Sequence, residues 1–206
     1  MSSPRFRASF SVLNLWSQGN WERAIKSYFK LEKFTTPAMA DGHLWHERWK
    51  AETLETGCLP KVFGGAKLTN PTVEIKKVLP INEWLDFVFI IDCLDEPTIH
   101  EYKTGTQSAS AYANSYQIPL YAIGATMMEK YVDRGIIHRL NQHTKLKDGS
   151  PDVETSIVWI TDKLMADAQE WLMTIASEMH VYFISNDLYA KFGKVEDTVV
   201  TNILNQ

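Results

Sequence analysis

The pattern of apolar positions changes period along the chain, and each change predicts an element. In SFSVLNLWSQGNWERAIKSYF (9–29) apolar residues recur at helical spacing behind a serine suited to cap a first turn. A second helix is predicted after Pro37, in AMADGHLWHERWKAETLET, with Gly57 as its stop. LPKVFGGAKLTNP is broken by two prolines and two adjacent glycines, which marks a loop. The period then shortens to two. TVEIKKVLPI places Val73 and Ile75 on one face, WLDFVFIID is rich in aromatic and β-branched residues, CLDEPT has turn chemistry, and IHEYKT resumes as a strand. These three strands predict a meander. A helical pattern follows over 108–135, ending at Gly135, in which Pro119 must either kink the helix or mark its true start. Two further strands, IIHRLNQHTKL and TSIVWI, flank a turn at KDGSPD. A long helix then begins at Thr161 or Asp162, and a short final helix is predicted in KVEDTVVTNILNQ. The order predicts an α/β fold, a central mixed β-sheet flanked by helices, in a single domain over residues 1–206.

Composition adds little to this picture. With 45% hydrophobic residues, 22% charged residues and a net charge of −4, the 206-residue chain is of the ordinary globular kind. The mild acidity argues against a generally basic nucleic-acid binder but not against a nuclease, whose site carboxylates count against the total until cations fill them. Cys58 and Cys93 are the only cysteines and form no CxxC pair, so the chain alone cannot make a four-cysteine zinc site. The N-terminal stretch lacks a long apolar core with a cleavage site, and no apolar run approaches the length of a membrane span. A cytoplasmic protein without a membrane partner is the expectation.

The chemistry is concentrated in IHEYKTG. Alternation along a strand puts Glu101 and Lys103 on one face and His100 and Tyr102 on the other. A hairpin can bring Asp86, on the preceding strand, beside Glu101. Two adjacent carboxylates repel, and a divalent cation that takes both as oxygen ligands removes that penalty. The Tyr102 carbonyl is a further ligand candidate, and the Lys103 ammonium can hold a water or balance a phosphate. A surface hairpin carrying a simple Glu–Lys pair is the competing reading of the same tripeptide.

Together, DGHLWHERW, the D…EYKTG pair of strands and QIPLYA resemble the PD-(D/E)XK nuclease superfamily, in particular its RecB-type branch, which includes the lambda-exonuclease-like and CRISPR-associated nucleases. The resemblance runs from SFSVLNLW to TDKLMADAQEWL and implies a restriction-endonuclease-like αβββαβ core. It implies that Gly42 and His46 form the branch's Gly-x-x-x-His element, with His46 a metal ligand alongside Asp86, Glu101 and Tyr102. It also implies catalytic roles for Asp86, Glu101, Lys103, Gln117 and Tyr121, the last two being four apart and so on one helix face. Glu74 falls where relatives often carry a glutamate, though a solvated strand face explains it equally well. His43 is three residues from His46 and has a weaker claim. Trp45, Trp49 and Trp84 suit core or groove wall, and Arg23, Lys26, Lys30, Lys33, Lys76 and Lys77 suit solvated surface or a phosphate track.

The expected activity is a Mg²⁺- or Mn²⁺-dependent DNA exonuclease acting on linear ends in DNA processing, recombination or repair. A non-catalytic DNA-binding or assembly subunit, or a restriction-like endonuclease, are the alternatives. Many RecB-type relatives hold an iron–sulfur cluster, but the segments that would supply its ligands contain no cysteine here, so no cluster is expected. NEWLD also lacks the glycine that often precedes the aspartate in relatives. There is no GxxxxGK[ST], so ATP-driven unwinding would need a helicase or recombination partner.

Overall fold

A computed structural model describes residues 5–31 and 37–193. Lys33 and the helix expected in KVEDTVVTNILNQ lie outside the described residues. Six strands form one mixed sheet: β1 (Phe6–Ser9), β2 (Thr72–Pro80), β3 (Leu85–Asp95), β4 (Thr98–Thr104), β5 (Arg134–Lys145) and β6 (Pro151–Trp159). Their order is β1-β3-β4-β5-β6, with β2 also paired to β3. Seven α-helices accompany them among the described residues: α1 (Phe10–Ser17), α2 (Trp21–Tyr28), α3 (Pro37–Thr56), α4 (Ala109–Ala113), α5 (Gln117–Met127), α6 (Asp162–Ser185) and α7 (Leu188–Phe192). None is long and apolar enough to cross a membrane.

The differences from the predicted elements have local causes. β1 is too short, at four residues, to show a period, and it runs directly into α1. The first predicted helix is two helices, because Gly19 adopts φ 75 and turns the chain between them. The helix expected over 108–135 is also split. Pro119 falls in the first turn of α5, where its missing N–H has no intrahelical partner to lose, and Gly135 belongs to β5. Gly57, at φ 62, terminates α3 as predicted, and Thr161 caps α6 by accepting from Leu164 N at 3.2 Å.

Contacts divide the chain into two compact units, Met1–Phe34 with Lys76–Phe89 and Ala166–Gln206, and Thr35–Ile75 with Ile90–Met165. The sequence predicts one domain with no linker. Three boundaries of this division fall within β2, β3 and α6, and the fourth lies outside the described residues.

In the first unit, β1 runs parallel to the beginning of β3, with Phe6 opposite Leu85 and Arg7 opposite Asp86. Its core is aromatic: the Phe183 ring sits 4.9 Å from Tyr28 and 5.0 Å from Phe29, and Phe6 stacks on Tyr28 at 5.1 Å. Trp84 is core wall, stacked on His180.

In the second unit, the end of β3 pairs antiparallel with β4, β4 parallel with β5, and β5 antiparallel with β6. Tyr102 joins Trp49, Leu59, Leu68, Cys93 and Leu140 in its core, and Phe63 stacks flat on Tyr102. Gly135 on β5 lets α5 approach closely: a Cβ there would lie 2.3 Å from Ile118 Cγ2. That approach sets the height of Gln117, the neighbouring residue, above the sheet.

The same core buries a histidine pair. His100 Nδ1 and His138 Nε2 lie 3.0 Å apart, and burial pushes the two imidazoles down to about 4 and about 3. In the unfolded chain both titrate near about 6.5. As pH falls below that value, the unfolded state takes up protons that the folded state refuses, so stability drops with acidification until the folded groups also protonate. The raised Glu101 carboxyl acts in the opposite direction over the same window, so the pair is read by difference: between about pH 6.5 and 4 the thermal midpoint of the wild-type protein should fall relative to that of His138→Gln. Midpoints that run parallel in the two proteins across that window would refute this reading of the pair.

Candidate active site

The hairpin register decides which carboxylate stands beside Glu101. β3 and β4 are joined by Glu96 and Pro97 alone, and Asp95 pairs with Thr98, Leu94 with Ile99 and Cys93 with His100. Extended by one step, that register sets Asp92 opposite Glu101, and Tyr102 N donates to Asp92 Oδ2 there. Asp86 would need a partner at position 107, beyond the end of β4 at Thr104. The register therefore gives no support to Asp86 as the partner of Glu101. The buried Asp86 carboxylate is instead held by Arg5 Nη2 at 2.5 Å and Arg7 Nη2 at 3.3 Å, within the first unit. Asp92 was not singled out from the sequence. The signal was present: Asp92 and Glu101 are symmetric about the Glu96–Pro97 turn.

Two contacts orient the Asp92 carboxylate. Its Oδ2 accepts from Tyr102 N at 2.8 Å, which fixes the carboxylate against β4. Its Oδ1 lies 3.4 Å from His46 Nδ1. Burial pulls the His46 imidazole down, but the hydrogen bond to Asp92 and the charges of Asp92 and Glu101 outweigh it, so the net shift is upward. His46 reaches this point because α3 closes on the end of β4: a Cβ at Gly42 would lie 2.9 Å from Thr104 Oγ1. The glycine of the Gly-x-x-x-His element thus has a packing reason. His43 is exposed, and Lys50, one turn beyond His46, pairs with Glu74.

Glu101 is the most constrained group. Its side chain is 5% exposed. Oε1 accepts from Lys103 Nζ at 2.7 Å and from Gln117 Nε2 at 2.7 Å, and Gln117 Nε2 also reaches Tyr121 Oη at 2.9 Å. Oε2 is buried and has no hydrogen-bond partner among the described residues. Burial, reinforced by the charge of Asp92 and opposed by Lys103, pushes the carboxyl up to about 7. For Lys103, burial lowers the pKa, but Glu101 and Asp92 more than compensate and raise it, so it remains an ammonium.

The structure therefore gathers His46, Glu101, Lys103, Gln117 and Tyr121 with Asp92 in the second unit, around the backbone of Tyr102. No family model matches the chain, and no curated protein matches it. Solved structures that resemble it include SSO0001, 10% identical with a TM-score of 0.47 over 84% of this chain and 79% of that one. The alkaline exonuclease LHK-Exo from Laribacter hongkongensis is 12% identical, with a TM-score of 0.44 over 90% and 93%. A phage related exonuclease from Haemophilus somnus 129PT is 14% identical, with a TM-score of 0.41 over 82% and 83%. Likeness at this level carries no functional argument, so function rests on the geometry.

Among the described residues no three His, Cys, Asp or Glu side chains close into a metal-binding group. The donor chemistry nonetheless fits a divalent cation. A buried carboxylate oxygen without a partner, beside a second carboxylate and an imidazole, is an arrangement that a hard cation would complete.

Proposed function

We propose that the chain is a divalent-metal-dependent deoxyribonuclease that degrades DNA from its ends. The observation that carries this reading is the buried Glu101 carboxyl, with one oxygen held by Lys103 and Gln117 and the other left without a partner near Asp92. A purely structural Glu–Lys pair does not need a second carboxylate close by. Asp92, Glu101, His46 and the Tyr102 carbonyl would hold Mg²⁺ or Mn²⁺. When bound, such an ion polarises a phosphoryl oxygen and acidifies a water. Lys103 would orient the attacking water and offset phosphate charge. Gln117 keeps Glu101 Oε1 turned toward Lys103, and Tyr121 supports Gln117. In the hydrolysis, the water oxygen forms a bond to phosphorus, the ester P–O bond breaks, the water gives up a proton and the departing sugar oxygen takes one. The preference for ends follows from the resemblance of the motif set to RecB-type and lambda-exonuclease-like proteins.

The test is incubation with linear duplex, closed circular and single-stranded DNA, with Mn²⁺, with Mg²⁺ and with EDTA. Linear DNA should be degraded with either ion and spared with EDTA, and closed circles should persist. Cutting of closed circles would replace end-dependent cleavage with endonuclease action. DNA binding without turnover of any substrate would leave a non-catalytic subunit.

A further inference from the structure

Lys103 belongs to a row of charged residues that crosses three strands. Its register partner on β5 is Arg139, whose partner on β6 is Glu154. Residues in register share a face, and neighbouring strands lie about 4.8 Å apart. Arg139 is 3% exposed, so its charge must be met inside the protein. Asp152 Oδ2 meets it at 3.2 Å and Glu154 Oε1 meets it more closely.

Glu154 also has a second contact. Its Oε2 accepts from Ala109 N, the first residue of α4, at 2.9 Å. A five-residue helix cannot hold itself together in water. This bond, with Ser108 Oγ accepting from Ala111 N at 3.2 Å, ties its beginning to the sheet. The tied helix carries Tyr112, whose ring centroid lies 5.7 Å from Lys103 Nζ, within the range of an ammonium–aromatic attraction. Lys103 is therefore held by Glu101 Oε1 and by the Tyr112 ring.

We propose that Tyr112, anchored through α4 by the Arg139–Glu154 pair, is a positioning residue that restricts the Lys103 ammonium to one arrangement beside Glu101. A lysine side chain has many rotamers, and a cation that must face a phosphate works only in a few of them. This inference rests on the nuclease reading, because only there does the placement of Lys103 set a rate.

The experiment measures kcat, KM and thermal midpoint for Mn²⁺-dependent degradation of linear DNA by Tyr112→Leu, Tyr112→Phe, Glu154→Gln and the double variant Tyr112→Leu/Glu154→Gln. Tyr112→Leu should lower kcat about tenfold with KM unchanged, and Tyr112→Phe, which keeps the ring, should restore the rate. Glu154→Gln should lower kcat in the same way, and the double variant should be no slower than the worse single one, because the two act in series. Wild-type kcat in folded Tyr112→Leu, or multiplicative losses in the double variant, would overturn the inference. If Tyr112→Leu does not fold, a loss of kcat in Tyr112→Phe as large as that in Glu154→Gln overturns it as well. Lys103→Ala separates the two levels. If it is inactive while Tyr112→Leu is fully active, only the positioning role falls, whereas full activity of Lys103→Ala removes the role of Lys103, and absence of DNA turnover by the wild-type protein removes the nuclease reading itself.

Discussion

Replacing Lys103 with alanine should lower DNA cleavage by about a thousandfold or more, with little change in thermal midpoint. The size follows from the role: removing one preorganised charge from a site that stabilises developing negative charge costs about 10²–10³-fold, and here the same group also orients the water. The fold should survive because Glu101 Oε1 keeps its hydrogen bond from Gln117 Nε2. The carboxyl, already pushed up to about 7 by burial and by Asp92, can take a proton when its ammonium partner is lost. Far-ultraviolet circular dichroism and a thermal melt check the fold, and single-turnover cleavage checks the rate. A well-folded Lys103→Ala protein that cleaves at the wild-type rate would leave the mechanism without its cation.

The second large effect separates two aspartates on one strand. Asp92→Asn should lower cleavage by about 10²-fold or more and weaken Mn²⁺ binding, since an amide replaces a charged oxygen ligand. The fold should hold, because the asparagine oxygen can still accept from Tyr102 N, as Asp92 Oδ2 does. Asp86→Asn should do the reverse. It removes the charge that Arg5 and Arg7 share, so the thermal midpoint should fall by a few degrees while cleavage per folded molecule stays as it was. Measuring both variants by melt and by turnover gives a crossed result that a simple loss of stability cannot imitate. If Asp86→Asn is the inactive protein, the register-based assignment is wrong.

These two aspartates also show how far the sequence could be read. Glu101 and Lys103 were legible because a period of two is local: whatever the strand pairs with, those side chains share a face. Gln117 and Tyr121 came from the resemblance, and their spacing of four only made it possible for one helix face to carry both. The partner of Glu101 was not local. It depended on where the turn lay, and CLDEPT reads as a six-residue turn when only Glu96 and Pro97 form it. Ending the strand at Asp92 hid that residue and left Asp86 as the acid on an apolar strand. The Glu154–α4–Tyr112 connection was less legible still, since it requires the register of β4, β5 and β6 together. The strands β2 to β4 and the helices α3 and α6 were plain because each is long enough to repeat its period. The four-residue β1 and the two interrupted helical stretches were not.

The most direct measurement is the position of Mn²⁺ in a crystal of the protein soaked with that ion, located by anomalous scattering. The account predicts a peak coordinated by the carboxylates of Asp92 and Glu101, with His46 beside it and Lys103 close by. A bound ion at Asp86 with none between Asp92 and Glu101, in crystals of protein that degrades DNA, would contradict it.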